Sequence, residues 1–362
     1  MTVKLDEMEK SSFEDDDSVE VPPPEIVAYN ELRSCADLFR MYTQKALVIQ
    51  PEFQREIVWK APAQTRFIDS LIKQLPIPSM CFSLDYKLQQ WQVIDGLQRI
   101  SSIIRFLSAE NWTLSKLDDI DPKISGQPAT TFADTRSPLN EYYKRVENLT
   151  LPITVLRCDY SKKSHTNYLF TIFHRLNTGA MKLNNQEIRN CIYAGKFNDL
   201  LKQLNEESQW MRINRMKTPI GYRFTKQEII LRFFAFRDCS SKYTGQLAKF
   251  LNEYMEDNRN PQASDLAEKQ KVFERTINIV YQKVFAGKIP TKLTVTFLES
   301  LLVGVSLNLD HLESLSNTAI AALAEKLRTH SEFSEERLSE GLSKTERVKG
   351  RLTAAEDVLS GK

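Results

Sequence analysis

The residues whose types and spacing best suit binding or catalysis lie in one short stretch, where an apolar run ends in Asp95-Gly96 and a helical pattern follows at once. Gly96 allows backbone angles that other residues avoid, so a strand can turn sharply into a helix there. Asp95 can accept hydrogen bonds from the first helical N–H groups, and Arg99 lies one turn into the helix. Free backbone donors, a helix N-terminus and a guanidinium together favour an anion, above all a phosphate. The alternative is a capped turn with an arginine on the surface.

The spacing of apolar residues predicts the elements that hold this turn. Residues 80–84 and 88–94 are predicted as two strands around a polar turn, and residues 97–108 as the helix that follows. The other predicted elements are a helix over 31–42 with Leu32, Leu38 and Phe39 buried, a strand over 47–49, a helix stopped by Pro76-Ile77-Pro78, and a strand over 151–156. The first 160 residues therefore form a small α+β unit whose strands converge near the turn.

The remainder of the chain has a different pattern. Residues 224–236 are apolar nearly all round, which predicts a central buried helix in a helical region. Residues 1–24 are acidic and end in three prolines, a composition typical of disorder. We therefore predict an α+β fold class in three parts: a disordered acidic arm over 1–24, an α+β domain with the Asp-Gly-x-Gln-Arg turn over 25–160, and a larger all-helical domain over 161–362.

The composition excludes several classes of protein. The net charge of +2 combines −6 over residues 1–24 with +8 over the rest, a mildly basic body that is compatible with nucleotides or nucleic acid. The five cysteines are scattered without a Cys-x-x-Cys pair, which favours reduced thiols in a cytoplasmic protein. No export signal or apolar run long enough to span a membrane is evident, and the four histidines lack metal-ligand spacing.

Four stretches, taken together, resemble one known family. They are Phe53-Gln54-Arg55 with Trp59, residues 68–72 continued to Pro78, residues 94–99, and residues 173–179 followed by 183–189. In this order they resemble the N-terminal domain of GmrSD-type restriction endonucleases, with its Gln-Arg…Trp, Ile-Asp-Ser-Leu-Leu…Pro-Ile-Pro and Asp-Gly-Gln-Gln-Arg elements. The resemblance covers residues 30–240 in outline.

The resemblance implies a ParB/sulfiredoxin-like mixed-sheet fold with a nucleotide-phosphate site at the signature turn. It also implies nucleotide-dependent restriction of modified phage DNA, with an NTP as ligand, GTP as the first choice, together with Mg²⁺. The residues that match the family's elements are Asp95, Gly96, Gln98 and Arg99 at the turn, and Gln54 and Arg55 upstream. Leu97 replaces the first glutamine of the signature. This departure indicates a side chain that packs, and it weakens the case for hydrolysis more than the case for binding.

Each matched residue has a predicted role. Arg99 and the Gly96 backbone would bind phosphate, with Gln54-Arg55 as a second contact. Asp95 and Gln98 are the catalytic candidates. Asp95 would hold a Mg²⁺-bound water or orient Arg99, and Gln98 would position an attacking water. The alternatives are structural: a helix cap, a surface ion pair or a solvated charge.

Two further predictions concern the later part of the chain. Asn177, Glu187 and Arg189 form a secondary candidate site, against the alternative of a solvated helix face. GmrSD-type enzymes also carry a His-Asn-His nuclease domain in the same chain or in a partner. Because His311 and His330 are in no such setting, we expect no nuclease of that type in this chain. Either a separate nuclease subunit cuts DNA, or this protein only senses and signals.

Three functional hypotheses remain open at this point. The first is a nucleotide-binding and NTP-hydrolysing sensor or regulatory component of a bacterial restriction or anti-phage system that acts on nucleic acid. The second is a non-catalytic ParB-like DNA-binding module, for which binding would be steeply salt-dependent. The third is a helical interaction scaffold with a decayed site. Whether the chain is an NTPase stays open among them.

Overall fold

The computed structural model describes residues 23–49, 59–109, 112–176, 184–216 and 225–361. The chain divides into two compact units between residues 183 and 184. The strands lie in the first unit, whereas the described part of the second unit is helical. The predicted fold class, a mixed sheet in the N-terminal part followed by a larger helical region, is confirmed. The predicted domain boundary after residue 160 stays a prediction.

Within the described residues, the first unit is built on a five-stranded mixed sheet of order β1-β5-β3-β4-β2. The strands are β1 Val27–Ser34, β2 Leu47–Val48, β3 Met80–Asp85, β4 Gln90–Asp95 and β5 Thr150–Cys158. β1 pairs antiparallel with β5, and β3 antiparallel with β4, whereas β3–β5 and β2–β4 are parallel. The two strands predicted on either side of the polar turn therefore form a hairpin, and β1 is an edge strand.

Helices bury one face of this sheet. They are α1 Cys35–Thr43, α2 Ala61–Ile72, α3 Leu97–Leu107, α4 Ala129–Ala133 and α5 Asn140–Asn148. A further helix, α6 Lys163–Leu176, contributes no residue to this core. α1, α2, α3 and α5 pack against one another, and the core between them and the sheet includes Leu151, Ile153 and Val155 of β5. Since these β5 residues alternate along the strand, the residues between them point to the opposite face. α6 packs against β4.

The predicted helix over residues 31–42 is wrong in its first part. Residues up to Ser34 belong to β1, and α1 begins at Cys35. The Ser34 hydroxyl accepts a hydrogen bond from the Asp37 N–H at 3.0 Å, an arrangement that fixes a helix start. Leu32, which was expected to be buried in the helix, lies on the edge strand and is 70% exposed. Leu38 is buried as predicted.

The second unit packs helices around one apolar helix. Its helices are α7 Asn185–Ile192, α8 Lys196–Asn205, α9 Ser208–Ile213, α10 Thr225–Cys239, α11 Leu247–Asp257, α12 Ala263–Asn278 with a π-helical extension Ile279–Val284, α13 Val295–Leu307, α14 Leu309–Ser314, α15 Asn317–Arg328 and α16 Thr345–Leu359. α10 is buried on nearly all sides and packs against α8 and α13, which confirms the predicted central helix. No helix among the described residues is long and apolar enough to cross a membrane.

Candidate functional site

Position 96, between β4 and α3, accepts only glycine without strain. Gly96 has φ +97°, a left-handed conformation that residues with a Cβ rarely adopt. A Cβ built there would lie 2.5 Å from Met80 Cγ and 2.9 Å from Met80 Sδ. The sharp strand-to-helix turn predicted from Asp-Gly is therefore present, and two independent physical reasons hold glycine at its centre.

The first turn of α3 has unused backbone donors. The Gly96 carbonyl accepts from the Ile100 N–H at 2.9 Å, which closes the first helical turn. As the N-cap, Gly96 has no side chain to accept a hydrogen bond. Within the described part of the chain, the N–H groups of Leu97, Gln98 and Arg99 have no acceptor. Such groups are available to an anion.

Asp95 pairs with Arg99 instead of capping the helix. Arg99 Nη2 donates to Asp95 Oδ2 at 2.6 Å, across one turn. The predicted capping role of Asp95 is therefore wrong, because its carboxylate turns to the guanidinium. The predicted alternative, that Asp95 orients Arg99, is present in the structure as this ion pair.

The Arg99 guanidinium is folded back over the turn. Its Nη1 donates to the carbonyl of Pro78 at 2.5 Å, and a longer contact of 3.4 Å reaches the Ser79 carbonyl. The side chain is only 15% exposed. A guanidinium has five N–H groups, so its contacts with Asp95 and these carbonyls leave further donors, including Nε–H, without an acceptor among the described residues.

The two residues between Gly96 and Arg99 have structural contacts. Gln98 Oε1 accepts from the Trp59 backbone N–H at 3.1 Å, which ties the start of the described segment 59–109 to the turn. Leu97 is partly buried and packs against the apolar core of the first unit, as its apolar character indicated. Gln54 and Arg55, the predicted second phosphate contact, lie outside the described residues.

A β-bulge in the pairing of β3 with β4 sets the direction of the Asp95 side chain. Asp95 is paired with Cys81, and Val93 with Phe82, so Ile94 is an extra residue on β4. The pairing brings Asp95 beside a thiol, and the pKa of Cys81 is raised to about 12, mainly by burial and secondarily by the Asp95 charge. Cys81 is therefore a neutral thiol next to the turn.

The secondary candidate residues have structural partners in the second unit. Glu187 forms a capping box with Asn184 at the start of α7, and its side chain accepts from the Asn184 N–H at 2.6 Å. Arg189 is 1% exposed and donates to Asn252 at 2.9 Å and to Glu228 at 3.0 Å. Asn177 lies outside the described residues. The binding role of this set stays a prediction.

Residues 35–194 match the family model described as "GmrSD restriction endonuclease, N-terminal domain". This segment is similar to the GmrSD-type domain. The match begins at α1 and ends after α7, so it contains the Asp95–Arg99 turn and the Asn184 capping box, and it is shorter than the resemblance predicted from motifs. The comparisons with curated proteins and with solved structures gave no match.

Two contributors to the Asp95–Arg99 turn could not be found by assigning chemistry to residue types. Pro78 acts through its carbonyl, and Met80 acts by occupying the space beside Gly96. The only sequence signal for Pro78 was its place in the Pro-Ile-Pro element.

Among the described residues, no group of three or more His, Cys, Asp or Glu side chains is arranged to hold a metal ion.

Proposed function

We propose that this protein binds the phosphates of a nucleotide at the Asp95–Arg99 turn, as a component of a restriction or anti-phage system that acts on nucleic acid. The observation that carries the proposal is the uncapped N-terminus of α3 beside the Arg99 guanidinium. A phosphate there would accept from unused backbone donors and be stabilised by the positive end of the helix dipole. The family description, which names a restriction endonuclease, supports the biological setting.

Arg99 can contact a phosphate without losing its present partners. Asp95 and the Pro78 carbonyl fix the guanidinium plane, and the remaining N–H groups are available to a ligand. A guanidinium whose position is fixed before the ligand binds loses less conformational freedom on binding than a free side chain does. Charge-assisted hydrogen bonds of this kind are about twice as strong as neutral ones.

Asp95 is suited to a magnesium ion that arrives with the nucleotide. Its side chain is 42% exposed, so one carboxylate edge is open to ligands. Magnesium in nucleotide sites is commonly held by one or two carboxylates together with phosphate oxygens and water. Bound there, the ion would neutralise phosphate charge and polarise a phosphoryl oxygen. It would also offset the repulsion between the Asp95 carboxylate and the phosphates.

Hydrolysis of the nucleotide is the second part of the proposal. Gln98 would orient the attacking water, and GTP is the first nucleotide to test. In the structure the Gln98 Oε1 atom accepts from Trp59, so this role requires either the amide nitrogen or release of that hydrogen bond. DNA cutting is assigned to a separate nuclease subunit, for which this protein would act as nucleotide-dependent sensor.

An NTP panel tests both parts. With Mg²⁺ and a ligand at about 100 times its dissociation constant, the free energy of unfolding should rise by about 2.7 kcal/mol. The melting temperature should then rise by about 2–4 °C for each kcal/mol. Phosphate release is measured in parallel, with Asp95→Ala as the variant expected to abolish it. The proposal is lost if no nucleotide shifts melting.

A further inference from the structure

We propose that the nucleoside end of the ligand lies at the β1–β5 edge of the sheet face opposite the apolar core, against the exposed Asn30 and Leu32 of β1 and the partly exposed Thr154 of β5. This inference rests on the proposed phosphate site and adds the specificity surface beside it. Asn30 and Leu32 precede the segment that matches the GmrSD family model, so that match says nothing about them.

The register of the sheet connects the phosphate turn to this surface. Asp95 is paired with Cys81, Cys81 with Thr154, and Thr154 with Asn30. Residues directly opposite each other on neighbouring strands point to the same face, so these four side chains form one row across four strands. Three strand spacings separate the ends of the row, about 14 Å. Because Cys81 is buried, an extended nucleotide whose phosphates are at Asp95 would pass over it and contact the row again at Thr154 and Asn30.

Polar groups along the row are already connected. The Thr154 hydroxyl donates to Asn30 Oδ1 at 2.8 Å, and the Ser79 hydroxyl lies 3.3 Å from the Thr154 hydroxyl. Ser79 also borders Arg99 through its carbonyl. Because Asn30 accepts through Oδ1, its amide NH₂ is oriented as a donor and has no acceptor among the described residues. An exposed carboxamide fixed in this way can read the hydrogen-bonding edge of a base or a ribose hydroxyl.

An apolar surface lies beside the polar row. Leu32 is two residues from Asn30 on the same face of β1 and is paired with Pro152 of β5. Leu32 is 70% exposed, the largest exposure of any large apolar side chain in the described residues, and Pro152 is partly exposed. A nucleobase has an apolar face and a polar edge. The Leu32–Pro152 pair would pack against the apolar face of the base, and Asn30 with Thr154 would form hydrogen bonds with its polar edge.

The test compares Mg²⁺–GTP with Mg²⁺–tripolyphosphate, which has the phosphates but no nucleoside, by titration calorimetry on the full chain. Asn30→Ala and Leu32→Ser should each weaken GTP binding by about 3- to 10-fold, the loss expected for one hydrogen bond or one apolar contact. Tripolyphosphate binding should not change in either variant. The matched controls are Tyr29→Phe, on the other face of β1, and Leu88→Ser, at a leucine that is 68% exposed in the β3–β4 turn.

The outcomes separate this inference from the phosphate site itself. If tripolyphosphate binds and Arg99→Ala weakens that binding, but Asn30→Ala and Leu32→Ser bind GTP as the unaltered protein does, the nucleoside surface is wrong and the phosphate site stands. If tripolyphosphate and GTP both fail to bind the unaltered protein, both proposals are overturned. Equal weakening of both ligands in the β1 variants also contradicts a nucleoside-specific surface.

Discussion

Arg99 Nη2 donates to Asp95 Oδ2 at 2.6 Å, and this contact joins the last residue of β4 to the first turn of α3 across a single glycine. The pair has two consequences. It fixes the direction of the guanidinium, and it leaves the helix N-terminus uncapped, since the aspartate that could have capped it faces the arginine.

Replacing Arg99 tests the phosphate contact. Arg99→Ala should weaken Mg²⁺–GTP binding by about 10- to 100-fold, because hydrogen bonds to a charged group contribute about 1.5–3 kcal/mol. Arg136→Ala is the matched control, since Arg136 is exposed and pairs with nearby Asp134. Calorimetry measures the affinities. Equal behaviour of the two variants would show that Arg99 has no special part in binding.

Replacing Gly96 tests the turn itself. Gly96→Ala should lower the free energy of unfolding by about 2–5 kcal/mol, from the left-handed backbone and from the contact with Met80. Gly126→Ala is the control, because Gly126 also has a positive φ, +75°, but its Cβ would meet only Lys116, at 3.8 Å. That variant should lose about 1–2 kcal/mol. Urea unfolding measures both free energies. Equal losses in the two variants would mean that the Met80 side chain moves aside without a loss of stability.

The second unit contains a buried charge cluster that predicts a stability effect without a binding effect. Burial raises the pKa of Glu228, but the charges of Arg232 and Arg189 outweigh burial and lower it. Glu228→Gln should therefore destabilise the protein by about 3 kcal/mol, since it leaves two buried guanidinium groups without their shared carboxylate. Glu313→Gln, at an exposed pair with Arg275, should cost less than about 1 kcal/mol. Loss of GTP binding by folded Glu228→Gln protein would contradict a purely structural role.

The stability of the first unit should fall at acid pH, in part because of Asp159. Burial raises the pKa of this carboxyl, but hydrogen bonds from Lys87 and Ser161 outweigh burial and hold the pKa below its usual value. Its contribution to stability is therefore full above the ordinary aspartate pKa of about 3.9 and is lost as the pH falls towards the folded pKa. Asp159→Asn should be less stable at pH 7 and should lose less stability between pH 4 and pH 2.

Urea unfolding at several pH values checks the Asp159 prediction. Asp118→Asn is the control, because Asp118 is exposed. The prediction fails if unaltered protein and Asp159→Asn lose stability with acid to the same extent.

Local sequence signals predicted the centre of the site and several elements around it. The Asp95-Gly96 pair predicted the strand-to-helix turn, and apolar periodicity predicted α3 and the buried α10. These features depend on residues that are close together in the chain, so a short segment of sequence is enough to predict them. Leu97 also packs as its apolar character predicted.

Features that depend on distant residues could not be predicted in the same way. Leu32 was assigned to a helix with Leu38 and Phe39 as its other buried positions, whereas pairing with β5 makes residues 27–34 a strand. For Asp95 the sequence left open whether the carboxylate caps the helix or orients Arg99, and only the folded position of Arg99 decides for the ion pair. The row from Asp95 to Asn30 follows from the register of four strands, which no local pattern specifies.

Hydrogen exchange at the amides of Leu97, Gln98 and Arg99, with and without Mg²⁺–tripolyphosphate, tests the phosphate site most directly. Phosphate oxygens that accept from these donors should slow amide exchange at all three positions in the unaltered protein. At the same ligand concentration, the slowing should be much smaller in Arg99→Ala, which binds more weakly. Binding of tripolyphosphate without slower exchange at these three amides would contradict a phosphate site at this turn.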